Sequence, residues 1–133
     1  MATGLTSALP KVIRLPADAS SVAAARDFVT SCLTKWSVAE AADDINLVVD
    51  ELVTNAIKHA RSPVTVSIAH RSDRIIVNVE DESTDDPRPD MLAGPMDEEG
   101  RGLRLVSHMA REWGSTRLPD GKRVWAEISL DAD

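Results

Sequence analysis

Residues 45–81 read INLVVDELVTNAIKHARSPVTVSIAHRSDRIIVNVED, and the apolar period changes within them. Ile45, Val48, Val49, Leu52, Val53 and Ala56 recur at steps of three and four, the spacing of one helix face at 3.6 residues per turn. Ser62-Pro63 ends that helix. Beyond it Val64, Val66 and Ile68 alternate with Thr65, Ser67 and Ala69, and after a polar turn at Arg71 to Arg74 the run Ile75-Ile76-Val77-Asn78-Val79 follows. Alternation with period two marks a half-buried strand, so the stretch predicts a helix from about Val38 to His59 and then a β-hairpin. A helix with one apolar stripe and a hairpin with one apolar face bury those surfaces against each other.

Toward the amino terminus, Val12, Ile13 and Leu15 form a short β-type run closed by Pro16, and the Asp18-Ala19-Ser20-Ser21 cluster offers helix caps. Val22, Ala25, Val29, Cys32, Leu33 and Trp36 predict an amphipathic helix over 20–35, with Ser37 as cap of the next. Toward the carboxyl terminus the composition turns acidic and proline-containing over 82–99, which predicts a long loop of the kind that serves as a lid. Leu103, Val106, Met109, Ala110 and Trp113 then mark a helix that Gly114 terminates. A last hairpin turns at Pro119-Asp120-Gly121-Lys122, and its second strand alternates Val124, Ala126, Ile128 and Leu130 with Trp125, Glu127 and Ser129. The sum is an α+β fold: a two-layer sandwich with three main helices on one face of a mixed, mainly antiparallel sheet of about five strands. It forms a single domain over 1–133, with 1–10 loose.

Composition narrows the function. Fifteen Lys and Arg against 22 Asp and Glu leave a net charge of −7, which repels a nucleic-acid backbone. The single Cys32 excludes an internal disulfide and a multi-cysteine metal site, and it reads as a small apolar helix residue. MATGLTSALPKVIRLP lacks an apolar signal core, and no later run approaches the roughly 18 apolar residues of a membrane span. The expectation is a soluble, cytoplasmic protein that binds neither nucleic acid nor membrane.

Three groups of residues carry chemistry. Glu51, Asn55, Lys58 and His59 share one helical stripe at the border of the apolar face, where an amide oxygen can ligate Mg²⁺ and a lysine can meet phosphate. The competing reading is a solvated face with charge pairs. Asp81 ends an apolar strand where the pattern breaks, so its carboxylate can accept a hydrogen bond from a ligand amine, or simply initiate a turn. Gly100-Arg101-Gly102-Leu103 opens a helix directly after the lid. Its amides can approach a phosphate, with Arg101 and Arg104 nearby, or its glycines can act only as hinges.

The order of these parts is more specific than any of them. ELVTNAIKHA (51–60), VNVEDES (77–83), GRGLRLV (100–106) and GKRVWAEI (121–128) resemble the histidine-kinase-like (GHKL) ATPase superfamily with its Bergerat fold, and within it the small bacterial anti-sigma-factor serine/threonine kinases. The likeness extends to the leading ARDFV at 25–29. It implies ATP and Mg²⁺ as ligands, Asn55 as the Mg²⁺ ligand and Glu51 as the general base toward a partner's serine hydroxyl. It also implies that Asp81 reads adenine, that Gly100 and Gly102 let lid and helix wrap the phosphates, and that Lys58 and His59 continue the pocket wall. The implied partners are a sigma factor and an anti-anti-sigma (STAS-type) protein, with homodimer formation left open.

Two departures stand out. The superfamily's Asp-x-Gly-x-Gly is here Asp81-Glu82-Ser83-Thr84-Asp85, without either glycine and with an added negative charge. Arg123 stands where relatives often carry a Thr whose hydroxyl helps hold adenine. These departures keep open a non-catalytic regulator of the same fold with weak or no nucleotide binding. Simple ATP hydrolysis is a third reading.

Overall fold

The computed structural model describes residues 9–83 and 105–130. Strand β1 (Lys11–Leu15) leads into helix α1 (Ser20–Lys35), and a 3-10 turn (Ala39–Ala41) into helix α2 (Ala42–Ala60). The hairpin β2 (Val64–His70) and β3 (Arg74–Asp81) follows, then helical residues 105–109, termed α3, and the hairpin β4 (Glu112–Leu118) and β5 (Gly121–Ser129). The predicted lid falls almost wholly outside the described residues.

The five strands form one sheet in the order β1-β2-β3-β5-β4, and every described ladder is antiparallel. Alternation decides the faces. Ile75, Val77, Val79 and Asp81 of β3 are buried, and so are Val64, Val66 and Ile68 of β2 and Ala126 and Ile128 of β5. They meet Ala25, Val29 and Leu33 of α1 and Ile45, Val48, Val49, Leu52 and Val53 of α2, all inaccessible or nearly so, with Val106 of α3 in the same cluster. Burying each of the larger aliphatic side chains is worth about 1.5–3 kcal/mol. Trp36 stacks on His70 with ring centroids 5.5 Å apart, tying the end of α1 to β2. The outer sheet face is polar and carries the cross-strand pairs Arg123–Glu80 at 2.9 Å and Arg74–Glu127 at 3.1 Å.

Several local expectations are corrected. Ser37 does not cap α2. It adopts the left-handed conformation (φ 62°) and closes α1 in a Schellman arrangement, Val38 N–H bonding to Leu33 O at 2.9 Å and Ser37 N–H to Thr34 O at 3.0 Å. At the start of α1 the cap is Ala19, without a side-chain bond. The hydroxyls of Ser20 and Ser21 instead donate to Asp18 Oδ2 and Pro16 O.

Gly114 does not end a helix either. Helical residues stop at Met109, and Gly114 lies within β4 opposite Trp125. An added Cβ there would sit 2.8 Å from Trp125 Cζ2, so the glycine makes room for an indole across the ladder. The last turn is also tighter than expected. Leu118 pairs with Gly121, so only Pro119 and Asp120 form the loop, and Lys122 belongs to the strand.

Candidate functional site

Helix α2 and strand β3 bring the first two groups of residues to one end of the sandwich. The helix finishes at Ala60 and is capped by Arg61 in the left-handed conformation (φ 52°), and Ser62 beyond it accepts the Glu82 backbone N–H on Oγ at 3.0 Å. Asp81 is thereby held beside the carboxyl end of α2. Asn55 lies five residues before the helix end, about 7.5 Å back along the axis.

On that helix Asn55 is buried, Glu51 half-buried, and Lys58 and His59 exposed in the last turn. The stripe therefore runs from the interior out to solvent, where its two basic residues complement the negative helix terminus. The Asn55 amide nitrogen is buried and has no hydrogen-bond partner among the described residues. Buried polar atoms are rarely left this way, and among the described residues Asn46 Oδ1, Asp50 Oδ1 and Arg74 Nε share the condition; Asn55 differs in lying on the stripe with Glu51, Lys58 and His59. As it stands the amide can donate to a phosphate oxygen. Turned by 180° it presents Oδ1, an oxygen of the kind that hard divalent cations prefer. This end of the site fits a metal-bound polyphosphate.

The other end differs from expectation. Asp81 continues the row Ile75, Val77, Val79 on the helix-facing side of β3, and there it meets Lys122, its ladder partner on β5. Lys122 Nζ lies 2.9 Å from Asp81 Oδ2, with side-chain exposures of only 6% and 2%. The second carboxylate oxygen, Oδ1, accepts the Ser83 N–H at 2.9 Å. Asp81 thus does initiate a turn, its side chain bonding the backbone at Ser83, the position of the first glycine in the superfamily pattern. The hairpin start is pressed against it: a Cβ on Gly121 would stand 1.9 Å from the Asp81 carbonyl oxygen. This glycine is required by close backbone approach. Each carboxylate oxygen keeps acceptor capacity beyond the bond it makes, and the ammonium brings donors. This end of the sandwich therefore joins a carboxylate and an ammonium in one buried pair.

Arg123 lies on the opposite face. Paired with Glu80 through both its Nε (3.0 Å) and its terminal nitrogen (2.9 Å), it does not share the side on which Asp81 and Lys122 stand. Lys122 is the site residue that sequence reading missed. The signal was present: stepping back by twos from Ile128 through Ala126 and Val124 reaches Lys122 on the apolar face. Gly100, Arg101, Gly102 and Leu103, the predicted phosphate-wrapping segment, lie outside the described residues, as do Arg104 and Asp85.

A family model for the histidine kinase-like ATPase domain matches residues 15–128. The chain belongs to this family. Among solved structures it is similar to the histidine kinase domain of the Erythrobacter litoralis EL346 blue-light activated histidine kinase, at 28% identity over 69% of this chain and 46% of that one, with a TM-score of 0.49. This chain thus spans about half the length of that one. No match is found among curated proteins. Within the histidine kinase-like ATPase domain, the matched region takes in every described site residue, from Glu51 and Asn55 to Asp81 and Lys122. Among the described residues, no helix is long and apolar enough to cross a membrane.

Proposed function

We propose that this protein binds Mg-ATP and acts as an anti-sigma-type serine/threonine protein kinase, holding a sigma factor and phosphorylating a serine of a STAS-type antagonist in the cytoplasm. The observation that carries the reading is the buried, unpartnered amide of Asn55 one helical turn after Glu51, at the end of the sandwich where Asp81 stands. When bound, Mg-ATP supplies the γ-phosphoryl group and the positive charge that offsets its transfer. Asn55 would hold the metal through Oδ1. Glu51, half-buried and one turn earlier, would take the proton from the partner's serine Oγ as that oxygen bonds to phosphorus and the bond to the ADP oxygen breaks. Asp81 and Lys122 would hold the base.

Two measurements test this. Calorimetric titration with Mg-ATP reads binding, and protein captured from native cytoplasm with and without Mg-ATP, then incubated with γ-labelled ATP, reads transfer. Binding without label on any captured partner removes the kinase activity and leaves a nucleotide-regulated binding module. Glu51→Ala should abolish labelling while leaving the binding constant within about threefold, because a general base acts on the transition state rather than on nucleotide affinity.

A second reading is favoured by one observation, the Asp81–Lys122 pair, which already satisfies part of the carboxylate that would read the base. In that reading the chain is a non-catalytic regulator. Absence of binding heat and of thermal stabilisation at millimolar Mg-ATP would select it.

A further inference from the structure

Lys11 opens edge strand β1 on the row that continues through Ile13 to Leu15, the row that faces the helices. Leu15 is buried and Ile13 packs against the core, whereas Lys11 is exposed. A charged side chain at this position of an apolar row leaves the space beside α1 unfilled. A cavity of about 310 Å³ lies there, lined by Lys11, Phe28, Ser31, Cys32, Lys35 and Trp36. It is far from Asp81. Lys11 pairs with Ile68 toward the end of β2, while the Asp81 end of β3 lies beside the start of β2, where Thr65 pairs with Glu80.

Phe28, Cys32 and Trp36 follow one another at steps of four along α1 and its cap, so they share a stripe, with Ser31 and Lys35 on the next. The walls are apolar: Phe28 and Trp36 are half-buried, Trp36 is fixed by its stack on His70, and Cys32 belongs to the core. The mouth opens to solvent between the exposed Lys11, Ser31 and Lys35. Burial pushes the Cys32 thiol above its ordinary range, while Lys11 and Lys35 both draw it down. The thiol is therefore neutral at pH 7, and both ammoniums stand within electrostatic reach of it. Among the described residues, neither lysine forms an ion pair.

We propose that this cavity binds a small amphipathic carboxylate, its apolar body between Phe28 and Trp36 and its carboxylate between Lys11 and Lys35. The size follows from the volume: at roughly 30 Å³ for a unit the size of a water or a methylene, the space holds about ten carbons. The charge follows from the two ammoniums, which form a local positive site on a chain of net charge −7. A neutral hydrocarbon leaves both lysines without a partner, and a cation is repelled by them. A free phosphate leaves the apolar walls wet. An apolar lining with a few convergent polar groups is the ordinary make-up of a small-molecule site.

The test titrates the full chain, without nucleotide, with hexanoate, octanoate, decanoate and 1-octanol by calorimetry and thermal shift. Affinity should rise about fourfold per methylene from hexanoate to decanoate. Octanoate should bind about fivefold or more tighter than 1-octanol, and a Lys11→Met, Lys35→Met double variant should lose that advantage. Both lysines are exposed, so the variant keeps the fold. Cys32, the single cysteine, reports where the ligand sits. Decanoate at about ten times its dissociation constant should slow alkylation of Cys32 by N-ethylmaleimide about tenfold. No heat and no thermal shift with millimolar decanoate overturns the proposal. So does 1-octanol binding as tightly as octanoate, or Cys32 reacting at the free rate under saturating decanoate. Should Cys32 not react in the free protein, the double variant decides, and an unchanged affinity for decanoate overturns the site.

Discussion

At the scale of single residues, the Asp81–Lys122 pair carries a stability consequence as well as a binding one. Each charge is tolerated in the interior because the other is 2.9 Å away. Removing one partner strands the other, and a stranded buried charge costs about 3–5 kcal/mol. Lys122→Met should therefore lower the unfolding free energy read from urea denaturation by that amount, and a Lys122→Met, Asp81→Asn double variant should recover a large part of the loss. Additive costs in that cycle would show that the two side chains do not interact. Asn55 gives the contrasting expectation. Its amide nitrogen makes no bond among the described residues, so Asn55→Ala should cost little beyond lost packing in the free protein, while abolishing nucleotide-induced stabilisation. Asp81 was legible in the sequence because it ends a strand whose alternation is unbroken. Lys122 was passed over although the alternation of β5 reaches it, because it follows Pro-Asp-Gly and reads as turn until the register Leu118 to Gly121 shortens the loop to two residues. Pairing register is a property of two strands, and one strand's pattern does not contain it.

At the scale of elements, the helices and hairpins were readable because their apolar residues keep one period over many positions. α1 and β2 to β3 fall where the spacing puts them, and α2 differs only in that a 3-10 turn replaces its first residues. The boundaries were less legible where a residue serves tertiary packing instead of local propensity. Gly114 looks like a helix stop but clears space for Trp125, and Ser37 looks like an N-cap but occupies a left-handed C′ position. Both yield tests. Ser37→Gly relieves the cost of a left-handed side-chain-bearing residue and should stabilise the protein by about 0.5–1 kcal/mol in thermal or urea unfolding. Gly121→Ala should do the reverse and more strongly. A Cβ 1.9 Å from the Asp81 carbonyl oxygen meets backbone, which cannot swing aside as a side chain can. A loss of about 3 kcal/mol or more is expected, together with weaker nucleotide binding, because the displaced backbone is that of Asp81 itself.

For the whole molecule, two carboxylates give stability opposite dependences on pH. Between α1 and α2, burial pushes the Asp50 carboxyl above its ordinary range, while Arg26, with Nε 3.4 Å from Oδ1, pulls it back only in part. The folded protein then holds that proton more tightly than the unfolded chain, so the contribution of Asp50 is favourable at low pH and is lost as pH rises through the folded value. On the exposed β2–β3 turn, Asp73 is the reverse. A hydrogen bond from Arg111 and a second from Arg74 hold its carboxyl below the ordinary range, outweighing desolvation. Its contribution is present in full above the ordinary carboxylate value and fades as pH falls through the folded one. The two should therefore separate in denaturation curves recorded from about pH 3 to pH 7. Asp50→Asn should be more stable than wild type near neutrality and lose that advantage on acidification. Asp73→Asn should be less stable near neutrality and converge with wild type in acid. Curves that shift in the same direction for both would mean that the α1–α2 seam does not penalise the Asp50 charge, and that Arg26 compensates it fully.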